Sequence, residues 1–160
     1  MKILRAENMI RVAVGGTFDP LHDGHKALLS RACELGRDGR VVVGLTSNDL
    51  AGKRLRAVAD YDVRARELIR YIRDWFGISP EIAVLHDPYG TTLAEHFDYL
   101  VVSPETHCIA VKINELRRER GMSQIEVVPV PYVLADDGMP ISSTRIKNGE
   151  IDVHGRLIKD

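Results

Sequence analysis

Residues 12–29 read Val-Ala-Val-Gly-Gly-Thr-Phe-Asp-Pro-Leu-His-Asp-Gly-His-Lys-Ala-Leu-Leu. The apolar run that ends in two glycines predicts a buried strand, and the apolar spacing after the histidines predicts a helix. A turn through Asp19-Pro20 separates them, so that His22 and His25 lie at one strand-to-helix junction. Because a helix N-terminus has unpaired N–H donors and a partial positive charge, this junction is suited to a phosphate.

Four further apolar runs alternate with helical patterns along the rest of the chain. The predicted strands cover residues 10–14, 40–46, 81–85, 99–103 and 125–133, and the predicted helices cover 24–35, 62–76, 92–96, 107–120 and 142–149. This alternation predicts an α/β, Rossmann-like three-layer fold with a five-stranded parallel sheet. We expect one domain over residues 1–160, with a core at 9–149 and peripheral tails at 1–8 and 150–160. The same patterns place Trp75 on an apolar helix face and make Cys33 and Cys108 buried thiols.

The composition excludes several classes of function. A net charge of −1 gives no general attraction to nucleic acid or to an anionic membrane. Two cysteines without a C-x-x-C pair argue against a zinc site and a disulfide framework. No apolar run is long enough to span a bilayer, and residues 1–8 lack the apolar core of a signal peptide. We therefore expect a cytoplasmic protein, and no protein partner is evident.

The histidine motif has a functional and a structural interpretation. His25 precedes Leu28 and Leu29 by three and four positions, so it shares their face of the helix and should lie over the end of the sheet. Gly24 allows a ligand to approach the backbone closely. The alternative is that His22 and His25 are only polar residues that cap the helix. A metal site is a further alternative, although no third ligand has a matching spacing.

Two other segments offer contacts for phosphate. Residues 141–145, Ile-Ser-Ser-Thr-Arg, place hydroxyls and a guanidinium at a helix start, which would suit an anion, although serines there are also ordinary N-caps. Residues 53–56, Lys-Arg-Leu-Arg, form a basic stretch after the second strand, which could equally be a solvated surface. All these loops follow the carboxyl ends of strands, where open sheets of this kind bind ligands.

The histidine junction and the Ile-Ser-Ser-Thr segment together resemble the signature of a known superfamily. Gly16-Thr17-Phe18-Asp19-Pro20 followed by His22-x-Gly24-His25, with the later Ile-Ser-Ser-Thr, is similar to the motifs of the HxGH nucleotidyltransferases. The resemblance implies transfer of a nucleoside monophosphate to a phosphate acceptor, with release of pyrophosphate.

Three stretches narrow the resemblance to one branch. Residues 87–90 (Asp-Pro-Tyr-Gly), 101–106 (Val-Val-Ser-Pro-Glu-Thr) and 113–117 (Ile-Asn-x-x-Arg) resemble the archaeal and eukaryotic phosphopantetheine adenylyltransferases, and the similarity covers about residues 10–147. The bacterial branch has Gly-Leu-Arg where this chain has residues 104–106. The cytidylyltransferase form of the last motif, Arg-Thr-x-Gly-Ile-Ser-Thr-Thr, is absent, since residues 137–140 are Asp-Gly-Met-Pro.

This resemblance implies the reaction of ATP with 4′-phosphopantetheine to give dephospho-CoA and pyrophosphate, with Mg²⁺ bound to ATP and no metal held by the protein itself. It implies His25 and Lys53 as catalytic residues. The expected ATP and phosphate contacts are Gly16, Thr17, Phe18, His22, Gly24, His25, Ser142, Ser143, Thr144 and Arg145. The expected acceptor contacts are Thr17, Lys53, Asp87 and Tyr89. Ser103, Glu105, Thr106 and Asn114 are typical of the branch and have no assigned role.

Two alternatives remain open from the sequence. One is an enzyme with the same mechanism and another acceptor, such as nicotinamide mononucleotide, FMN or a polyol phosphate. It would keep both phosphate motifs but would not need the branch-typical loops. The other is a regulatory module that binds ATP without turnover, which could dispense with His22, His25 and Lys53.

Overall fold

The computed structural model describes residues 9–52 and 57–159. The strands are β1 (Arg11–Gly16), β2 (Arg40–Thr46), β3 (Glu81–Leu85), β4 (Tyr99–Val102) and β5 (Glu126–Pro129). The helices are α1 (Asp23–Leu35), α2 (Asn48–Ala51), α3 (Tyr61–Phe76), α4 (His107–Glu119) and α5 (Ser143–Lys147), with a 3₁₀ turn at Gly90–Leu93. The sequence did not predict α2, because a single helical turn is too short to show a period.

The five strands form one sheet in the order β3-β2-β1-β4-β5, and every neighbouring pair is parallel. This confirms the predicted α/β fold. The chain adds strands on one side of β1 up to β3 and then crosses to the other side for β4. The carboxyl ends of β1 and β4 therefore border the point where the order reverses, which is where such sheets open a crevice for ligands.

Glycines shape the carboxyl end of the sheet. The prediction that the first strand ends at Val14 is wrong, since Gly15 and Gly16 continue β1 and pair with Gly44 and Leu45 of β2. The parallel ladder satisfies their backbone groups, and the missing side chains leave room for Leu85. A Cβ on Gly44 would lie 2.9 Å from Leu85 Cδ2, and a Cβ on Gly15 would lie 3.4 Å from Leu85 Cδ1.

Apolar side chains cover both faces of the sheet, because successive residues of a strand point to opposite sides. The face under α1 and α3 is filled by buried residues that include Val12, Val14, Leu29, Val43, Leu68 and Ile72. The face under α4 and the 3₁₀ turn is filled by buried residues that include Ala13, Val42, Phe97, Leu100, Ala110 and Ile113.

Two expected core residues lie at the surface. Trp75 is 73% exposed, because Ile72 and Phe76 take the core-facing positions of α3 and the indole lies beside Tyr71. Cys33 is buried as expected, but Cys108 is exposed in the first turn of α4, whose buried face begins at Ala110.

Residues 150–158 pack against the rest of the domain, which corrects the expectation of a peripheral tail at 150–160. Ile151 is fully buried against Ala135 and Ile141, and the N–H of Asp23 donates to the carbonyl of Val153 at 3.0 Å. The sequence pattern missed this because the segment holds only one isolated buried apolar residue and no regular strand or helix.

In the part of the chain that the structure describes, no helix combines the length and the apolar composition that crossing a membrane requires.

Candidate active site

Two cavities open at the carboxyl edge of the sheet, beside the reversal point between β1 and β4. The larger, of about 630 Å³, lies between the start of α1, residues 130–133 and the start of α5, and we call it the polar cavity. The smaller, of about 290 Å³, lies between the sheet and α4, and we call it the apolar cavity. Gly15, Gly16 and Thr17 line both, so the two cavities meet at the end of β1.

His22 and His25 form a reciprocal cap at the start of α1. The Nδ1 atom of His22 accepts the N–H groups of Gly24 at 3.0 Å and of His25 at 3.3 Å. The Nδ1 atom of His25 accepts the N–H of His22 at 3.3 Å, and the two rings stack with centroids 3.7 Å apart. The capping interpretation therefore applies to both rings, and both also line the polar cavity.

This cap fixes the tautomer of the two rings. Because Nδ1 of each accepts a backbone N–H, the proton of a neutral ring is on Nε2. Burial lowers the pKa of His22 to about 4, and the carboxylate of Asp23 acts in the opposite direction. At neutral pH His22 is therefore uncharged and has a donor N–H at Nε2.

The serine-rich turn lines the same polar cavity as the histidines. Ser142 is the N-cap of α5, since its Oγ accepts the N–H of Arg145 at 3.2 Å. Ser143 and Thr144 line the cavity together with it. The guanidinium of Arg145 also lines the cavity, where it donates to the carboxylates of Asp137 and of Glu150, the latter at 3.2 Å. The hydrogen bond from Arg145 is the main reason that the pKa of Asp137 lies below its ordinary value.

A buried arginine stabilises the turn after β1. The hydroxyl of Thr46 donates to Thr17 Oγ1 at 3.0 Å, and Phe18 follows with a φ of 53°. Arg64, in the first turn of α3, is only 1% exposed. Its Nη1 donates to the carbonyl of Thr17 at 3.3 Å and to Thr46 Oγ1 at 3.1 Å. The backbone around Thr17 is thus fixed by side chains from β2 and α3.

A second set of contacts joins this turn to α5 and to residues 57–59. Asp19 Oδ2 accepts the N–H of Ala59 at 2.8 Å and the Nζ of Lys147 at 2.9 Å. Lys147 Nζ also donates to the carbonyl of Ala57. Although burial acts to raise it, the pKa of Asp19 is lowered by these two hydrogen bonds and by the Lys147 charge. Lys53, expected to contact phosphate, lies outside the described residues.

The apolar cavity receives Tyr89, one of the expected acceptor contacts, together with Leu85, Leu100 and Ile109. Asp87 lines neither cavity. Its Oδ1 accepts the N–H groups of Tyr89 at 2.8 Å and of Gly90 at 2.9 Å, so it shapes the turn that presents Tyr89.

The branch-typical residues separate into two groups. Ser103, Glu105 and Thr106 line the polar cavity, and Thr106 Oγ1 accepts the N–H of Ser103 at 3.1 Å at the start of α4. Asn114 lies away from both cavities, where its amide exchanges two hydrogen bonds of 2.8 and 2.9 Å with the backbone of Ile125. Asn114 therefore fixes the start of β5.

The sequence interpretation missed three side chains that assemble the site: Thr46, Arg64 and Lys147. A signal existed for Arg64, because a cation in the first turn of a helix opposes the helix dipole. Such a position indicates that groups nearby stabilise the charge. No signal existed for Lys147, whose partners Asp19 and Ala57 are distant in sequence.

Comparison with known proteins identifies the family of this chain. Residues 13–149 match the family model described as cytidylyltransferase-like. The chain is 50% identical over 155 residues to a phosphopantetheine adenylyltransferase from Methanosarcina barkeri, covering 95% of each chain. It is 49% identical over 150 residues to another from Archaeoglobus fulgidus, covering 93% of this chain and all of the relative.

A solved structure shares the fold over nearly the whole chain. The crystal structure of an Archaeoglobus fulgidus protein described as having unknown function is 38% identical, with a TM-score of 0.71, and the match covers 94% of this chain and all of that chain. The chain belongs to the cytidylyltransferase-like family and, within it, to the group of the archaeal phosphopantetheine adenylyltransferases.

Proposed function

We propose that this protein is an adenylyltransferase of coenzyme A biosynthesis, which joins ATP and 4′-phosphopantetheine to give dephospho-CoA and pyrophosphate. The observation that carries the proposal is the meeting of the two cavities at Gly15–Thr17. A polar cavity between two helix starts suits a triphosphate, and an apolar cavity beside it suits a long acceptor arm. The names of the archaeal relatives support the same acceptor.

The two substrates then divide between the two cavities. The phosphates of ATP bind between the histidine pair and the Ser142–Ser143 turn. The acceptor phosphate binds at Thr17, and the pantetheine arm extends along Leu85, Tyr89 and Ile109 in the apolar cavity. The arm is largely methylene and amide groups, so it gains mainly from burial there.

The reaction is an in-line displacement at the α-phosphorus of ATP. An oxygen of the acceptor phosphate forms a new P–O bond, the bond between the α-phosphorus and the bridging oxygen breaks, and pyrophosphate leaves with that oxygen. The acceptor phosphate is already an anionic nucleophile, so the protein contributes position and charge stabilisation and needs no general base. The Nε2–H of His25 donates to the α-phosphate as charge develops there. Lys53 neutralises both reacting phosphates, and Ser142, Ser143 and Arg145 hold the departing pyrophosphate.

We propose that Mg²⁺ enters with ATP and is held mainly by the phosphates. Among residues 9–52 and 57–159 no three His, Cys, Asp or Glu side chains come together as a metal site. A cation that keeps several waters and takes most other ligands from the substrate needs few protein ligands. We also propose that the reaction takes place in the cytoplasm.

A pyrophosphate-release assay tests the proposed function. The purified protein is incubated with ATP, Mg²⁺ and, in separate reactions, 4′-phosphopantetheine, nicotinamide mononucleotide, FMN and glycerol 3-phosphate. Of the four acceptors, we expect only 4′-phosphopantetheine to give pyrophosphate release. The same reaction should form dephospho-CoA, detected by mass spectrometry. Release with another acceptor would reassign the substrate. ATP binding without release in any reaction would identify a sensor instead.

A further inference from the structure

Residues 150–158 form a closed arch beside the polar cavity. Ile151 and Leu157 pair in an antiparallel bridge, and the N–H of Asp152 donates to the carbonyl of Arg156 at 3.0 Å. The carboxylate of Asp152 accepts the N–H groups of His154 and Arg156, both at 2.9 Å. These internal bonds give the segment a defined shape, although it holds no regular strand or helix.

One side of the arch holds the first turn of α1. The N–H of Asp23 donates to the carbonyl of Val153 at 3.0 Å, and His154 Nδ1 lies 3.0 Å from Asp23 Oδ1. Asp23 is the residue between His22 and Gly24. A shift of the arch would therefore move the backbone on which both imidazoles are capped.

The other side of the arch holds the turn that leads into α5. Ile151 packs on Ala135 and Ile141 with no exposed surface, and the carbonyl of Gly155 accepts the N–H of Asp136 at 2.9 Å. Gly155 has a φ of +81°, and a Cβ there would lie 2.8 Å from both Ala135 Cα and Ile141 Cδ1. Ile141 immediately precedes Ser142, so the same arch fixes the serine-rich turn.

We propose that the 150–158 arch is a positioning element for nucleotidyl transfer, which sets the distance between the histidine pair and the Ser142–Ser143 turn. The two turns are far apart in sequence, and the arch contacts both. A triphosphate that spans them binds best at one separation, and a small error in that separation misplaces the α-phosphate. The inference rests on the proposed function for its catalytic readout, but ATP binding tests it without any acceptor.

The first test removes the side-chain contact between the arch and α1, which joins His154 to Asp23. In His154→Ala we expect the ATP dissociation constant to rise severalfold and kcat to fall about tenfold, less than the roughly 100-fold that a 1 Å misplacement can cost. His96→Ala is the matched control, because His96 is a similarly exposed histidine paired with Asp98 at 3.2 Å, outside both cavities. His154→Asn should restore much of the loss, since its amide N–H can replace Nδ1–H.

The second test disturbs the packing of the arch against the turn that leads into α5. In Gly155→Ala the new methyl group must displace Ala135 or Ile141, and we expect a larger loss of ATP affinity and kcat than in His154→Ala. Gly121→Ala is the matched control, because Gly121 has a φ of +72° but nothing within 4 Å of its Cβ position. Both variants carry the strain of a left-handed alanine, and only Gly155→Ala moves the turn before α5.

ATP binding by calorimetry, turnover by pyrophosphate release and thermal unfolding are measured on all five variants and the wild type. The proposal is overturned if His154→Ala and Gly155→Ala bind ATP like the wild type. It is also overturned if their losses of ATP affinity and kcat are no larger than those of control variants with the same decrease in melting temperature. If the wild type binds ATP but does not adenylate 4′-phosphopantetheine, the proposed function fails, and the ATP dissociation constants still decide the role of the arch.

Discussion

Nδ1 of both His22 and His25 accepts a backbone N–H at the start of α1, but the two rings have different surroundings. His22 is 6% exposed and is the N-cap of α1, whereas His25 lies one turn further on and contacts Phe18 at a ring-centroid distance of 5.0 Å. His22 therefore has the larger share in stability. We keep His25 as the principal donor to the α-phosphate.

The role of His25 is tested by His25→Ala. We expect the barrier of the chemical step to rise by roughly 2–4 kcal/mol, because one donor to the developing charge is lost. ATP binding, measured by calorimetry, should be largely retained, since the other phosphate contacts remain. Turnover close to that of the wild type would contradict the assigned role.

The buried His22 predicts a pH dependence of stability. The unfolded imidazole titrates near its ordinary pKa of 6.5, and the folded one near 4. Between these values only the unfolded state binds the proton, so stability is fully present above pH 6.5 and falls as the pH drops toward 4. Relative to His22→Asn, which keeps an N-cap but does not titrate, the wild type should lose about 2 kcal/mol more between pH 7 and pH 5. Urea unfolding at the two pH values measures this difference, and equal losses in both proteins would refute it.

At the scale of elements, α3 supports the turn after β1 through a single side chain. Arg64 also donates to the carbonyl of Ala59 at 2.7 Å and to Asn48 Oδ1 at 3.2 Å. It thereby joins β1, α2 and the start of α3 around Thr17. A helix that lies on one face of the sheet thus shapes the meeting point of the two cavities.

We expect Arg64→Met to lower the free energy of unfolding by about 3 kcal/mol, because several buried oxygen acceptors lose their donor. It should also raise the KM for the acceptor, since Thr17 loses its support. Arg66→Met, two residues further along the same helix and exposed, is the control and should change neither quantity. Urea unfolding and steady-state kinetics separate the two effects. An unchanged KM in a folded Arg64→Met protein would show that Arg64 supports only the fold.

At the scale of the whole molecule, Lys147 joins three segments that are separate in the sequence. Its ammonium group bonds to Asp19 after β1 and to Ala57 after the basic stretch, while its backbone belongs to α5. We expect a coupling free energy of about 1–2 kcal/mol between Asp19→Asn and Lys147→Met in a double-mutant cycle on unfolding. Lys147→Arg should retain most of the wild-type stability. Additive effects would mean that the pair is not a unit.

The division between the two cavities predicts a selective effect on the acceptor. Ala83 lines the apolar cavity, whereas the next residue of β3, Val84, is 44% exposed. Filling the cavity with Ala83→Leu should raise the KM for 4′-phosphopantetheine about tenfold, in line with overpacking costs, and leave the KM for ATP unchanged. Val84→Leu is the matched control. Equal changes in both KM values would place the acceptor arm elsewhere.

Apart from α2, the order of elements and the parallel sheet follow from the sequence alone, and so do the positions of the two turns that we propose bind phosphate. Period, glycine punctuation and capping residues are local properties, and the topology of alternating strands and helices brings the strand ends together. The same local signals placed His25 on the inward face of α1, and they named Ser142 both as a cap and as a phosphate contact.

Only the tertiary structure decided how these turns are held. The contacts of Arg64 with Thr17, of Lys147 with Asp19 and of His154 with Asp23 join residues that no local pattern relates. The exposure of Trp75 and Cys108 and the packing of the 150–158 arch were likewise invisible in the sequence. Burial of a side chain depends on which element covers it, and that is fixed only when the whole chain has folded. Local sequence thus determines the strand, the turn and the helix start of residues 12–29, whereas contacts from distant parts of the chain fix their position in the site.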